Sequence, residues 1–241
     1  MTVQPDRTIY TKSPITEAVI DIRTVNGEGL SIRDLKRAGD RLAGYVETAR
    51  LQEIQETFSE SERTQSQRTV GLAYRSEERQ TVVQVRLEGF ACSKLSPYDR
   101  WESFRDHARE SWVHYVEVAG PTVVKRLAVR FINRIPVPRA VADFRPYVHV
   151  YPATPWNLTS PPAGLFLQLR RPFPNGRLMV LNQTVAATEG VVAIILDFDV
   201  FSEEEQPFDD VAVWNQVEEL HVSLEEAFEE SITDLVREQI R

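Results

Sequence analysis

A chain of 241 residues, 42 % hydrophobic and 9 % aromatic, can bury a sizeable core and fits one large domain or two small ones sharing a core. Its formal charge of −8 is uneven: Phe201 to Arg241 holds 13 acidic residues against Arg237 and Arg241, whereas the remainder carries 23 acidic and 26 basic residues. That distribution argues against a nucleic-acid partner bound by bulk phosphate neutralisation, and a single cysteine, Cys92, excludes an intrachain disulfide and a thiol-ligated metal site.

The opening "MTVQPDRTIYTKSP" lacks the apolar segment of a secretory signal, and no stretch nears the ~18 uncharged apolar residues of a membrane span. A cytoplasmic protein with no membrane partner is expected. The first periodic element is "EAVIDIR", Glu17 to Arg23, where Ala18, Ile20 and Ile22 alternate with Glu17, Val19, Asp21 and Arg23 as in a half-buried strand. Ser31 and Asp34 then form a helix-start signature ahead of Ile32, Leu35, Leu42 and Val46. Strands are expected near Leu51–Ser59, Arg68–Arg75 and Gln80–Glu88, the last two joined by a turn at "RSEER". In "GFACSKL", Cys92 follows these strands and reads as a small buried hydrophobe.

A second helix is expected to open at "LSPYDRW", with Ser96 as cap, Pro97 in the first helical position and Asp99 three residues after the cap. Trp101, Phe104, Ala108 and Trp112 follow at helical spacing and, with Tyr115, read as core. Then comes "KRLAVRFINRI", Lys125 to Ile135, ended by the prolines of "PVPR". Val137 to Pro162 is proline-rich and irregular, with "YVHVY" as a short edge strand. "GLFLQLRR", "RLMVLNQTV" and "GVVAIILDFDVF" follow as strands, the first two joined by "FPNGR", whose Asn-Gly supplies positive φ. The chain closes with a long helix from about Asp209, striped by Val213, Val217, Leu220, Leu224, Phe228, Ile232 and Leu235.

This order predicts an α+β fold: mostly antiparallel sheet of seven to eight strands packed by three helices, the C-terminal one long. Residues 1–136 form one half, 137–162 a crossover and 163–241 the other half, sharing one core.

Period two puts Arg126, Arg130 and Arg134 on one strand face with Ala128 and Ile132, while Leu127, Val129 and Phe131 line the other. Successive arginines stand roughly 7 Å apart, and Arg86 and Arg170 can join them from other strands. Guanidinium groups hold phosphate or carboxylate bidentately, so the five could line an anion groove. The alternative is cross-strand pairing with Asp197 and Asp199, which the alternation of "VVAIILDFDVF" sets on the face away from Val192, Ile194, Leu196 and Phe198. Those two aspartates are also the candidate Mg²⁺ ligands. The mixed face is similar in outline to that of triphosphate-hydrolysing tunnel enzymes. Their opening strand reads Glu-x-Glu-x-Lys, however, whereas this one presents Val19, Asp21 and Arg23.

His107 and His114 share a helix face two turns apart, too far for one metal; His149 lies in the proline-rich segment and His221 beside the last apolar stripe. No nucleophile elbow, phosphate-binding glycine loop or paired-histidine zinc motif occurs, so no cofactor is expected. Glu218, Glu219, Glu225, Glu226, Glu229 and Glu230 offer either a solvated face or a docking surface for a basic partner.

"SPITEAVIDIR" (Ser13–Arg23), "YDRWESF" (Tyr98–Phe104), "RLAVRFINRIPVP" (Arg126–Pro138), "LDFDVF" (Leu196–Phe201) and "LHVSLEEAFEESIT" (Leu220–Thr233) together resemble the motifs of a family of sporadically distributed bacterial proteins. The resemblance implies a stand-alone bacterial protein of this size, on mobile or defence-linked loci, with no established activity and hence no catalytic residue to carry over. The expected function is a non-enzymatic interaction module engaging a protein partner, basic in character, or a second copy of itself. The alternative is a binder or hydrolase of a phosphorylated ligand on the arginine-lined face.

Overall fold

The structure is a computed structural model that describes residues 10–58, 63–138, 143–152, 164–188 and 191–241. The first half comprises β1 (Ile15–Val25), α1 (Ile32–Gly39), β2 (Val46–Phe58), β3 (Arg63–Ser76), β4 (Thr81–Arg86), β5 (Gly89–Leu95), α2 (Trp101–Ala119) and β6 (Val123–Val137). The second comprises β7 (Phe166–Pro172), β8 (Leu178–Thr188), β9 (Val191–Ser202), β10 (Gln206–Pro207), α3 (Asp210–Ser231) and α4 (Asp234–Ile240). All strands join one antiparallel sheet in the order β2-β3-β4-β5-β1-β6-β9-β8-β7, with β10 beside the start of β6. The fold is α+β, with ten strands and four helices among the described residues rather than seven or eight and three. Most of the proline-rich stretch, 139–142 and 153–162, lies outside the described residues, as do Ser59 and Gly190 at the ends of expected strands.

The arginine strand β6 sits centrally, between β1 and β9. Its Leu127, Val129, Phe131 and Ile135 join Ala18, Ile20 and Ile22 of β1 and Ile194, Leu196, Phe198 and Val200 of β9 in one buried cluster. Trp112 and Tyr115 of α2 and Val213, Val217, Leu220 and Leu224 of α3 close over it, so residues from both halves share this core. Each such side chain contributes about 1.5–3 kcal/mol when fully buried. Every strand residue in the cluster belongs to the same sheet face. Among the described residues, the opposite face carries the arginines and aspartates of β1, β4, β6 and β9 and none of the four helices.

Local signals explain the elements that match expectation. Ser31 and Asp34 form a reciprocal capping box at the start of α1. Asn175 and Gly176, at φ 62° and 71°, turn the chain between β7 and β8. Asp209 caps α3 by accepting from the Ala212 amide.

Four expectations are corrected by long-range contacts. β5 is an additional strand containing Cys92; it escapes the alternation test because Gly89 to Ser93 are buried on both faces. Its tight entry needs Gly89, at φ 149°, where a Cβ would lie 2.3 Å from the Ile22 carbonyl oxygen. Ser96 does not cap α2: its amide donates to the Thr16 carbonyl, extending the β1–β5 pairing, and the helix begins at Trp101. α1 ends at Gly39, against the Tyr74 ring, so Leu42 is buried from a loop and Val46 starts β2, exposed. The long C-terminal helix breaks at Ile232, which bridges to Val148 of "YVHVY". Thr233 then bonds the carbonyls of Pro146 and Tyr147. The break changes the helical phase, leaving Leu235 exposed while Val236 and Ile240 fill the core.

Candidate functional site

All five arginines singled out by periodicity lie on the sheet face opposite the four described helices. The register sets Arg86 beside Gly89, Arg126 beside Arg23, Arg130 between Val19 and Asp199, Arg134 beside Ile195 and Arg170 beside Val180. Small residues on β5 clear the way for Arg86: Ala91 stands between β4 and Asp21, and the guanidinium reaches over it to the Asp21 carboxylate. Arg126 donates to Asp21 at 3.4 Å and to Asp199 at 2.8 Å, with its guanidinium 4.5 Å from the Phe201 ring centre. Arg130 grips Asp197 through Nε and Nη2, both at 2.7 Å, and Asn182 adds a donor at 3.3 Å. Three arginines and three aspartates thus form a charge-paired lattice running across β4, β1, β6 and β9, with the exposed Arg23 also 3.7 Å from Asp21.

Burial pushes the Asp199 carboxyl above its usual range, against the pull of Arg126 and Arg130. The Asp197 hydrogen bond does the reverse for Arg130, holding its guanidinium more firmly protonated. An incoming anion at Arg86, Arg126 or Arg130 meets a guanidinium already held by a carboxylate. Asp197 and Asp199, the candidate metal ligands, have their oxygens facing guanidinium groups, and among the described residues no cluster of three or more His, Cys, Asp or Glu forms a metal site. Arg134 and Arg170 have no carboxylate partner among the described residues. They do not converge either, because β6 and β7 stand three strand spacings apart, roughly 14 Å.

The acidic helix face is mostly engaged within the chain. Glu218 accepts from Trp101 Nε1 at 2.6 Å and from Arg105, Glu229 from Arg237 at 2.9 Å and Glu230 from Arg171 at 2.5 Å. Glu219 lies 3.7 Å from Arg177 and Glu225 3.3 Å from His221. His221 is fully buried and stacks on Trp101 with ring centres 3.8 Å apart. Trp101, Trp112 and Tyr115 are core residues. Burial pushes the Cys92 thiol up to about 12, far from thiolate chemistry at neutral pH.

Sequence reading passed over the surroundings of His107. Arg79 Nη1 lies 2.7 Å from His107 Nδ1, and an arginine can only donate. Nδ1 therefore accepts, the ring is neutral, and Nε2–H donates to the Tyr45 hydroxyl, which bonds Thr81 Oγ1. Burial and the Arg79 charge both depress the His107 pKa. These residues come from the β3–β4 turn, α2, the α1–β2 connection and β4, and no motif joins them in sequence. No helix among the described residues is long and apolar enough to cross a membrane. No family model matches the chain, and no curated protein matches it.

Proposed function

We propose that the protein is a non-enzymatic interaction module that engages a protein partner across the sheet face that none of the described helices covers. The observation that carries this reading is one lateral row of that face: Arg134 on β6, Ile195 on β9, Thr184 on β8 and Phe166 on the edge strand β7. Phe166 is 70 % exposed, and Arg134 has no carboxylate partner among the described residues. Arginine and aromatic side chains are the residue types that most often anchor protein interfaces. The adjoining Arg–Asp lattice supports the row: its paired charges keep that part of the face ordered before any partner arrives, which lowers the entropy lost on docking.

Native purification followed by mass spectrometry tests the reading. A stoichiometric partner should be captured by the wild type and lost, at least tenfold, from Arg134→Ala combined with Phe166→Ala. The double variant should keep its melting temperature. Full retention of the partner by that variant rules out this face.

A further inference from the structure

A cleft of about 320 Å³ opens on the helix-covered side of the sheet, between the β3–β4 turn and the first two turns of α2. We propose that it binds a phosphate-bearing small molecule through Arg79, Lys94 and Arg100. The site lies apart from the arginine lattice, because Lys94 shares its sheet face with the buried Cys92 and Phe90.

Lys94 is the central observation. Its side chain is only 13 % exposed, yet its ammonium makes one hydrogen bond, to the Arg79 carbonyl at 3.0 Å. Its nearest carboxylate, Asp99, stands 3.8 Å away and is largely in solvent. An ammonium carries three donors, so two remain for the cleft, and a largely buried charge with unfilled donors favours an anion beside it. Arg79 uses one N–H on the neutral His107 ring and keeps the rest of its five donors. Arg100, an exposed lining residue, has no carboxylate partner among the described residues.

The start of α2 reinforces the same sign. Arg100 is its N-cap and makes no side-chain cap bond, so the first-turn amides near Ser103 have no capping oxygen. Uncapped amides and the helix dipole favour an anion there. Glu78 and Asp99 also line the cleft, leaving three cations against two carboxylates around it. The turn, the strand end and the helix start each contribute one cation to the lining, and the space exceeds that of a bare phosphate group.

The test is a titration of the full chain with inorganic phosphate against sodium chloride of equal ionic strength, read by melting temperature and by the His107 ring signals in NMR. Wild type should gain several degrees at tens of millimolar phosphate, with the His107 signals moving as it binds. Arg100→Ala, a surface change that leaves the fold intact, should weaken phosphate binding at least tenfold, as should Lys94→Met. Arg170→Ala, on the other sheet face, should bind as wild type does. Glycerol phosphate or a nucleoside monophosphate should bind more tightly than inorganic phosphate. No gain beyond sodium chloride overturns the proposal, as does a gain that survives in Arg100→Ala. If no ester improves on inorganic phosphate, the small-molecule class falls and the site is one for the free anion.

Discussion

Arg130 binds both carboxylate oxygens of Asp197 at 2.7 Å, although the strand register sets Asp199, not Asp197, directly opposite it. Asp199 instead accepts from Arg126, so both guanidinium groups lean the same way along β9. The two-point grip restricts Arg130 more than a single contact does.

Replacing Arg130 with alanine should therefore destabilise the protein. Asp197, whose side chain is 13 % exposed, would keep only the 3.3 Å bond from Asn182. The expected loss is about 1–3 kcal/mol in urea denaturation. It should fall short of the ~3–5 kcal/mol of a fully buried broken pair, because Arg130 itself is 44 % exposed. Unchanged stability would show that the lattice is only a solvated ladder.

Stability should also depend on His107 as the solution is acidified. The ring faces Arg79, Lys94, Glu110 and Tyr45, and its folded pKa is held below the ordinary 6.5 by burial and by Arg79. Between the folded and unfolded values the unfolded chain binds more protons, so stability is full above about pH 6.5 and declines as pH falls through the folded pKa. His107→Gln should flatten that part of the melting-temperature profile between pH 7 and 5. An identical slope in the variant would assign the pH dependence to other groups.

The break at Ile232 makes two neighbouring residues behave differently. Val236→Ala removes fully buried methyl groups and should cost about 1–3 kcal/mol, whereas Leu235→Ala, at a position 47 % exposed, should stay within ~0.5 kcal/mol. Paired thermal melts of the two variants check this, and a larger loss from Leu235→Ala than from Val236→Ala would mean one unbroken helix with the original stripe.

Much of the local structure was legible from the sequence because it depends on neighbours within a few residues. Alternation assigned Arg126, Arg130 and Arg134 to one face of β6, and Asp197 and Asp199 to the matching face of β9. Asn175–Gly176 announced its turn, and Ser31 with Asp34 announced the start of α1. β5 was hidden because a strand buried on both faces shows no alternation.

Partnership was decided by the tertiary structure alone. Arg130 and Asp197 are 67 residues apart, and the Arg86–Asp21 pair is separated by 65. The cap expected at Ser96 yielded to a strand bond with Thr16, and the helix phase after Ile232 yielded to its bridge with Val148. The His107 network and the Lys94 cleft draw on four or more elements each, none close in sequence to all the others. Periodicity determines which side of a strand or helix a side chain occupies, since that follows from backbone geometry repeated every two or 3.6 residues. What stands opposite that side chain depends on strand order and register, which arise only when segments tens of residues apart compete for the same hydrogen bonds and the same core.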